Sequence, residues 1–92
     1  ASRPALKVWP NPVNPECTIS YSLPLPGPAR VEIVDLRGRV VRTLASGWRA
    51  SGAHRAVWDG RDDAGRPAAS GAYFGRVVFG ETSMSARIVM IR

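Results

Sequence analysis

Three observations predict an all-β fold, an antiparallel β-sandwich. Short apolar alternations recur along the chain, turn-forming residues interrupt them about every 8–12 residues, and no window carries an apolar stripe of useful length at helical spacing. The chain is organised around Val57-Trp58-Asp59-Gly60-Arg61-Asp62-Asp63-Ala64-Gly65-Arg66-Pro67, followed by Ser70-Gly71-Ala72-Tyr73-Phe74. This stretch reads as strand, long turn, strand. Trp58 brings a large apolar surface, Asp59-Gly60, Ala64-Gly65 and Pro67 supply turn chemistry, and Tyr73-Phe74 restart an extended segment. Aromatics at both ends of the loop are expected to nucleate the core. On that placement, Trp58→Ala is predicted to cost ~3–5 kcal/mol.

Leu6-Lys7-Val8-Trp9 is a short alternating run, stopped by Pro10-Asn11-Pro12-Val13-Asn14-Pro15, whose three prolines predict a rigid extended connection. Thr18 to Leu23 alternates with Ile19, Tyr21 and Leu23 on one face and hydroxyls on the other, the pattern of a half-buried strand. After a proline-rich turn at Pro24 to Pro28, Val31 and Ile33 point one way and Arg30, Glu32 and Val34 the other. Asp35-Leu36-Arg37-Gly38 predicts a type I turn closed by Gly38 in the left-handed region, leading into Val40 to Leu44. Ala45 to Gly52 reads as a loop. Ala53 to Trp58 is extended, with His54, Ala56 and Trp58 inward. Tyr73, Gly75, Val77 and Phe79 share a face, Gly80-Glu81 turns the chain, and Met84, Ala86, Ile88 and Met90 alternate with Ser83, Ser85 and Arg87. About seven such strands in a chain of this size predict a sandwich of immunoglobulin or fibronectin III type.

The 92 residues allow one domain: residues 1–5 as a linker remnant and 6–92 as the sandwich. An apolar fraction of 45% with 22% charged residues is ordinary for a globular chain. The net charge of +6, nearly all from arginine, raises the question of nucleic acid or acidic glycan. Yet the arginines are spread singly among apolar positions with no alternating aromatics to stack bases, so solvated strand faces are expected and no nucleic-acid partner. The single cysteine, Cys17, excludes an internal disulfide and lies in a strand-like run where a buried, inert thiol is expected. No apolar run is long enough for a membrane-spanning helix. A start at Ala1, with no leader-like segment, suggests a fragment or processed piece of a longer protein.

Five blocks in order carry a resemblance: Trp9 to Pro15, Thr18-Ile19-Ser20-Tyr21, Asp35-Leu36-Arg37-Gly38-Arg39-Val40-Val41, Trp58-Asp59-Gly60-Arg61-Asp62 and Ser70 to Phe74. Together they resemble the C-terminal sorting domains of type IX secretion cargo and the overlapping immunoglobulin-like domain of flagellar hook-capping proteins. The proline-asparagine block and the ending Arg87-Ile88-Val89-Met90-Ile91-Arg92 favour the sorting branch. The chain departs from that pattern at Trp9, Val13, Glu16-Cys17 and Val34. The resemblance implies a non-catalytic address on a larger exported cargo, passing through the periplasm to the cell surface or medium. Its implied partners are the outer-membrane secretion machinery, a sortase-like protease cutting near Ala1 to Leu6, and the parent cargo domain upstream. Ile88, Val89, Met90, Ile91 and Arg92, with Trp48, are the candidate recognition residues. A terminal strand offering backbone pairing makes strand-edge self-association a further expectation. Two alternatives stand: a structural module of a hook cap, and an accessory carbohydrate-binding or spacer module of an extracellular enzyme.

The remaining constellations weigh toward structure. Asp59, Asp62 and Asp63 are weak candidates for calcium, but Arg61 stands where a calcium loop wants oxygen, and turn capping is the favoured role. His54 is the sole histidine and Cys17 lies on another strand, so no nucleophilic site is expected. The P-loop spacing is absent, and no cofactor is expected. Trp48 sits between polar residues in the predicted loop, where packing back over the sandwich edge is favoured over service as a contact anchor.

Overall fold

A computed structural model describes residues 5–12 and 15–92 of the chain, and these form seven strands. They are β1 (Ala5–Trp9), β2 (Cys17–Leu23), β3 (Gly27–Asp35), β4 (Val40–Arg49), β5 (Gly52–Trp58), β6 (Gly71–Phe79) and β7 (Thr82–Met90). Pairing is antiparallel throughout, in a three-stranded sheet ordered β1-β2-β5 and a four-stranded sheet ordered β4-β3-β6-β7. The expected sandwich is therefore present, with β4 carried by the larger sheet. The first strand takes in Ala5, while Ser2, Arg3 and Pro4 of the expected linker, and Val13, lie outside the described residues.

Alternation decides the two inner faces. Cys17, Ile19, Tyr21 and Leu23 of β2 meet Val31 and Ile33 of β3, Val77 of β6, and Ile88 and Met90 of β7, all buried. Trp58, at the end of β5, is fully buried and meets Tyr73 edge-on, ring centroids 5.5 Å apart. The Tyr73 hydroxyl donates to Ala69 O at 2.6 Å, so the start of β6 is tied to the chain four residues upstream. That is the device of a tyrosine corner in immunoglobulin-like sandwiches.

Two tight turns follow their residues. Gly38 lies at φ +81°, its N–H donates to Asp35 O at 3.0 Å, and Asp35 Oδ1 accepts from the Arg37 and Arg39 N–H groups at 2.9 and 3.0 Å. At the other hairpin, Phe79 pairs with Thr82 across Gly80-Glu81.

The predicted loop from Ala45 to Gly52 is corrected by the structure: β4 runs on to Arg49, and only residues 50–51 separate it from β5. The β3–β4 register shifts twice, between Val31 and Glu32 and between Ile33 and Val34, leaving Leu44 and Val41 as extra residues on β4. Each bulge breaks the period-two pattern, which hides the strand from a reading of alternation. The far half of β4 is extended because it pairs with Gly27 to Val31, a long-range cause.

Candidate recognition site

The segment from Asp59 to Ser70 folds against the end of β7. Trp58 Nε1 donates to Arg61 O at 2.9 Å, fixing the first turn of the loop to the core ring. Gly60 lies at φ +79°, and a Cβ there would stand 2.8 Å from Pro15 O, 3.0 Å from Arg92 Nη2 and 3.2 Å from Met90 Cε. The Ala68 N–H donates to Gly60 O at 2.8 Å, closing the loop on itself. Across this closure lies Arg92, whose guanidinium donates to Gly60 O and Ala68 O and whose N–H donates to Ser70 Oγ at 3.0 Å. Arg92 thus clasps both ends of the loop, joining it to the strand that precedes the clasp.

The three aspartates serve turns and strand edges. Asp59 Oδ1 accepts from the Arg61 N–H and from Arg42 Nη1, both at 3.0 Å. Asp62 Oδ1 accepts from the Ala64 and Arg66 N–H groups at 3.0 and 2.9 Å. The Arg66 N–H, then the Arg66 charge and the Ala64 N–H, hold the Asp62 carboxyl below its ordinary range. The Arg39 N–H does the same for Asp35, reinforced by the Arg37 N–H and the Arg39 guanidinium. Asp63 faces β4: its Oδ1 accepts from the Thr43 N–H at 3.0 Å, and its own N–H donates to Val41 O at 2.9 Å. Among the described residues no group of three or more His, Cys, Asp or Glu side chains is placed to hold a metal ion.

The recognition candidates separate by burial. Ile88 and Met90 are core residues, packed under the sheet where no partner reaches them. Val89 is half-buried on the outer face, Ile91 is 50% exposed, and Arg92 is engaged with the loop. Trp48 is not in a loop and does not fold back over the edge. It lies on β4 opposite Pro28 and is 68% exposed. His54 and Cys17 occupy opposite ends of the β2–β5 pair, His54 stacked on Tyr21 and donating from Nε2 to Ala50 O at 2.7 Å. Burial pushes the Cys17 thiol up to about 11, with the Glu16 charge adding to the shift.

Three features escaped sequence reasoning. Glu32 points to the outer face, as alternation requires, yet is only 2% exposed. Its carboxylate accepts from Arg76 Nε of the neighbouring β6 at 2.9 Å and from Arg30 Nε of its own strand at 3.0 Å. Several arginines expected to be solvated are therefore paired: Arg30 and Arg76 with Glu32, Arg39 with Asp35, Arg42 with Asp59, and Arg66 with Asp62. The third feature is Asn11, whose amide donates to Arg87 O at 2.8 Å and accepts from the Val89 N–H at 3.0 Å, occupying part of the free edge of β7. A partner 76 residues away leaves no local signal in the sequence.

Comparison with known proteins places this geometry. No curated protein matches the chain. Among solved structures, the dimeric latent PorU of Porphyromonas gingivalis is similar over 99% of this chain and 10% of its own, with a TM-score of 0.75 and 20% identity. PorZ, described as an essential bacterial surface component of the type IX secretion system of the same organism, is similar over 96% of this chain and 12% of its own, with a TM-score of 0.65 and 28% identity. The chain thus spans about a tenth of the length of the solved proteins it matches. Residues 16–80, from the start of β2 to the β6–β7 turn, match the family described as the FlgD Ig-like domain. Carrying that match on a seven-stranded sandwich, the chain belongs to the FlgD Ig-like domain family.

Proposed function

We propose that this domain is a non-catalytic secretion address on an exported bacterial protein, read by the outer-membrane machinery of type IX secretion on the way from periplasm to cell surface or medium. The observation that carries this reading is the likeness to PorZ, at 28% identity over 96% of the chain. Coverage that high takes in β1 and β7, the two strands that the FlgD Ig-like match leaves out. Those strands flank the Pro10 to Pro15 block and the Arg92 clasp. The implied partners are the secretion machinery, a sortase-like protease acting before the domain, and a cargo domain upstream.

A fluorescent reporter carrying residues 1–92 at its C terminus, behind a periplasmic signal, tests the reading in a host with type IX secretion. Reporter at the surface or in the medium is expected. Deleting Ile88 to Arg92 is a poor control, because Ile88 and Met90 are core and their loss unfolds the sandwich. The informative variant is Ile91→Asp, which changes an exposed side chain and is expected to lower export while the domain stays folded. A folded domain that leaves its reporter in the periplasm overturns the reading. It would favour the second one, a structural module like the family's namesake domain, which rests on the match over residues 16–80.

A further inference from the structure

We infer that the free edge of β7 from Ser83 to Arg87 is a strand-docking site for an extended segment bearing an acidic residue opposite Arg87. The inference stands apart from the secretion reading, since it concerns what the edge binds and not what reads the domain.

β7 is the outer strand of the four-stranded sheet, and among the described residues it pairs as a strand only with β6. Because Arg87 O and the Val89 N–H face outward to Asn11, the period-two rule puts the N–H and C=O of Ser83 and Ser85 outward as well. None of these four groups has a partner among the described residues, nor has the Arg87 N–H. Edges are ordinarily protected by charge, proline, bulges or a covering segment. From Thr82 to Ala86 there is no charged residue, no Pro and no Gly, and the β6–β7 register runs without a break. At Arg87 and Val89 the Asn11 amide takes the place of a neighbouring strand. The opposite edge differs: on β4, Asp63 occupies Thr43 N–H and Val41 O, and the bulges disrupt the ladder.

Charge selects the occupant. On the outer face Arg87 lies opposite Phe74 and Arg76 opposite Ser85, while Glu32 is already shared by Arg30 and Arg76. Three arginines against one carboxylate leave an excess of positive charge beside the open edge, and Glu81 lies at its far end, in the turn. An antiparallel strand therefore gains most with a carboxylate opposite Arg87, then small polar residues opposite Ser85 and Ser83, with apolar residues between them facing Ala86 and Met84. A second copy of this chain would bring the same excess of +6 to the interface.

The test uses a fluorescein-labelled peptide, Ser-Glu-Val-Thr-Val-Thr-Ser, titrated with the 92-residue chain and read by anisotropy and by amide hydrogen exchange. Binding is expected, with new protection at the Ser83, Ser85 and Arg87 amides. Replacing the peptide's Glu by Lys is expected to weaken binding about tenfold, turning an opposite-charge pair into a like-charge one, and added salt is expected to narrow that gap. Ser85→Pro removes an outward N–H that takes no part in the β6 ladder, so the fold is retained while peptide binding is lost. Asn11→Ala frees the next pair of groups, and tighter binding with protection spreading to Val89 is expected. The inference is overturned by equal affinity for the Glu and Lys peptides, by protection on another strand, by binding that survives in Ser85→Pro, or by dimerisation of the chain through this edge in place of peptide binding. Export of a Ser85→Pro reporter separates the two readings: secretion with no peptide binding leaves the address standing and removes the docking site's part in it.

Discussion

Replacing Gly60 by Ala tests the packing of the loop against β7, and Gly65 supplies the control within the same loop. The two glycines have nearly the same backbone, φ +79° and +82°, so the conformational cost of a side chain is common to both, roughly 1–2 kcal/mol. Their surroundings differ. A Cβ at position 65 meets nothing within 4 Å, whereas at 60 it meets Pro15 O at 2.8 Å, Arg92 Nη2 at 3.0 Å and Met90 Cε at 3.2 Å. The methionine and arginine can shift, but the Pro15 carbonyl is backbone, so the contact adds about 1–3 kcal/mol of overpacking. Gly60→Ala is therefore expected to lose about 2–5 kcal/mol in total against about 1–2 for Gly65→Ala. In a domain of this size, each 1 kcal/mol lowers Tm by about 4–8 °C. Urea unfolding followed by tryptophan fluorescence measures the difference, since Trp58 is fully buried while Trp9 and Trp48 are already exposed. Equal losses for the two variants would refute the packing of Gly60 against Pro15 and the Arg92 clasp.

Other expectations are as direct. Trp58→Ala is expected to cost ~3–5 kcal/mol in urea unfolding followed by circular dichroism, and a loss under about 1 kcal/mol would remove the ring from the core. Glu32→Gln takes the charge from a buried carboxylate whose arginines reach solvent, so the loss is set below that of a fully buried pair, at about 1–3 kcal/mol. A double-mutant cycle with Arg76→Met that shows no coupling would count against the pair. Asp35 and Asp62 have depressed carboxyl pKa values, so their contribution to stability is present above the ordinary 3.8 and is lost as pH falls through the lower folded values. Carboxyl carbon NMR titration is expected to place both midpoints below 3.8, and a midpoint at or above it would contradict the turn geometry. With its thiol pushed up to about 11 and buried, Cys17 is expected to resist a disulfide reagent at pH 8 until the chain is unfolded by guanidinium. Rapid labelling of the native chain would place it at the surface.

The family match covers β2 to the β6–β7 turn, the part of the sandwich that holds most of the core. The residues on which the proposed address and docking edge rest, Ser85, Arg87 and Ile91, lie outside it. Evolution of partners on such a scaffold can proceed at strand edges without disturbing the core, because edge backbone groups and outer-face side chains carry little of the burial.

What the sequence by itself determined was whatever depends on neighbours a few residues apart. Alternation in β2, β5, β6 and β7 assigned Ile19, Tyr21, Trp58 and Ile88 to the inner face, and the Asp35 to Gly38 and Gly80-Glu81 turns follow from local φ preferences and short side-chain bonds. The tertiary structure alone decided what depends on residues far apart in the chain. The later half of β4 is extended by pairing with β3 across two bulges, and Trp48 is thereby exposed on a strand. Glu32 is buried because arginines from its own strand and from β6 close over it. Asn11 guards β7, and Arg92 grips Gly60 and Ala68, because sheet packing brings those distant segments into hydrogen-bond reach. Periodicity reports which face a residue takes. It carries no information about which distant group will be waiting there, and that is set by strand order and register.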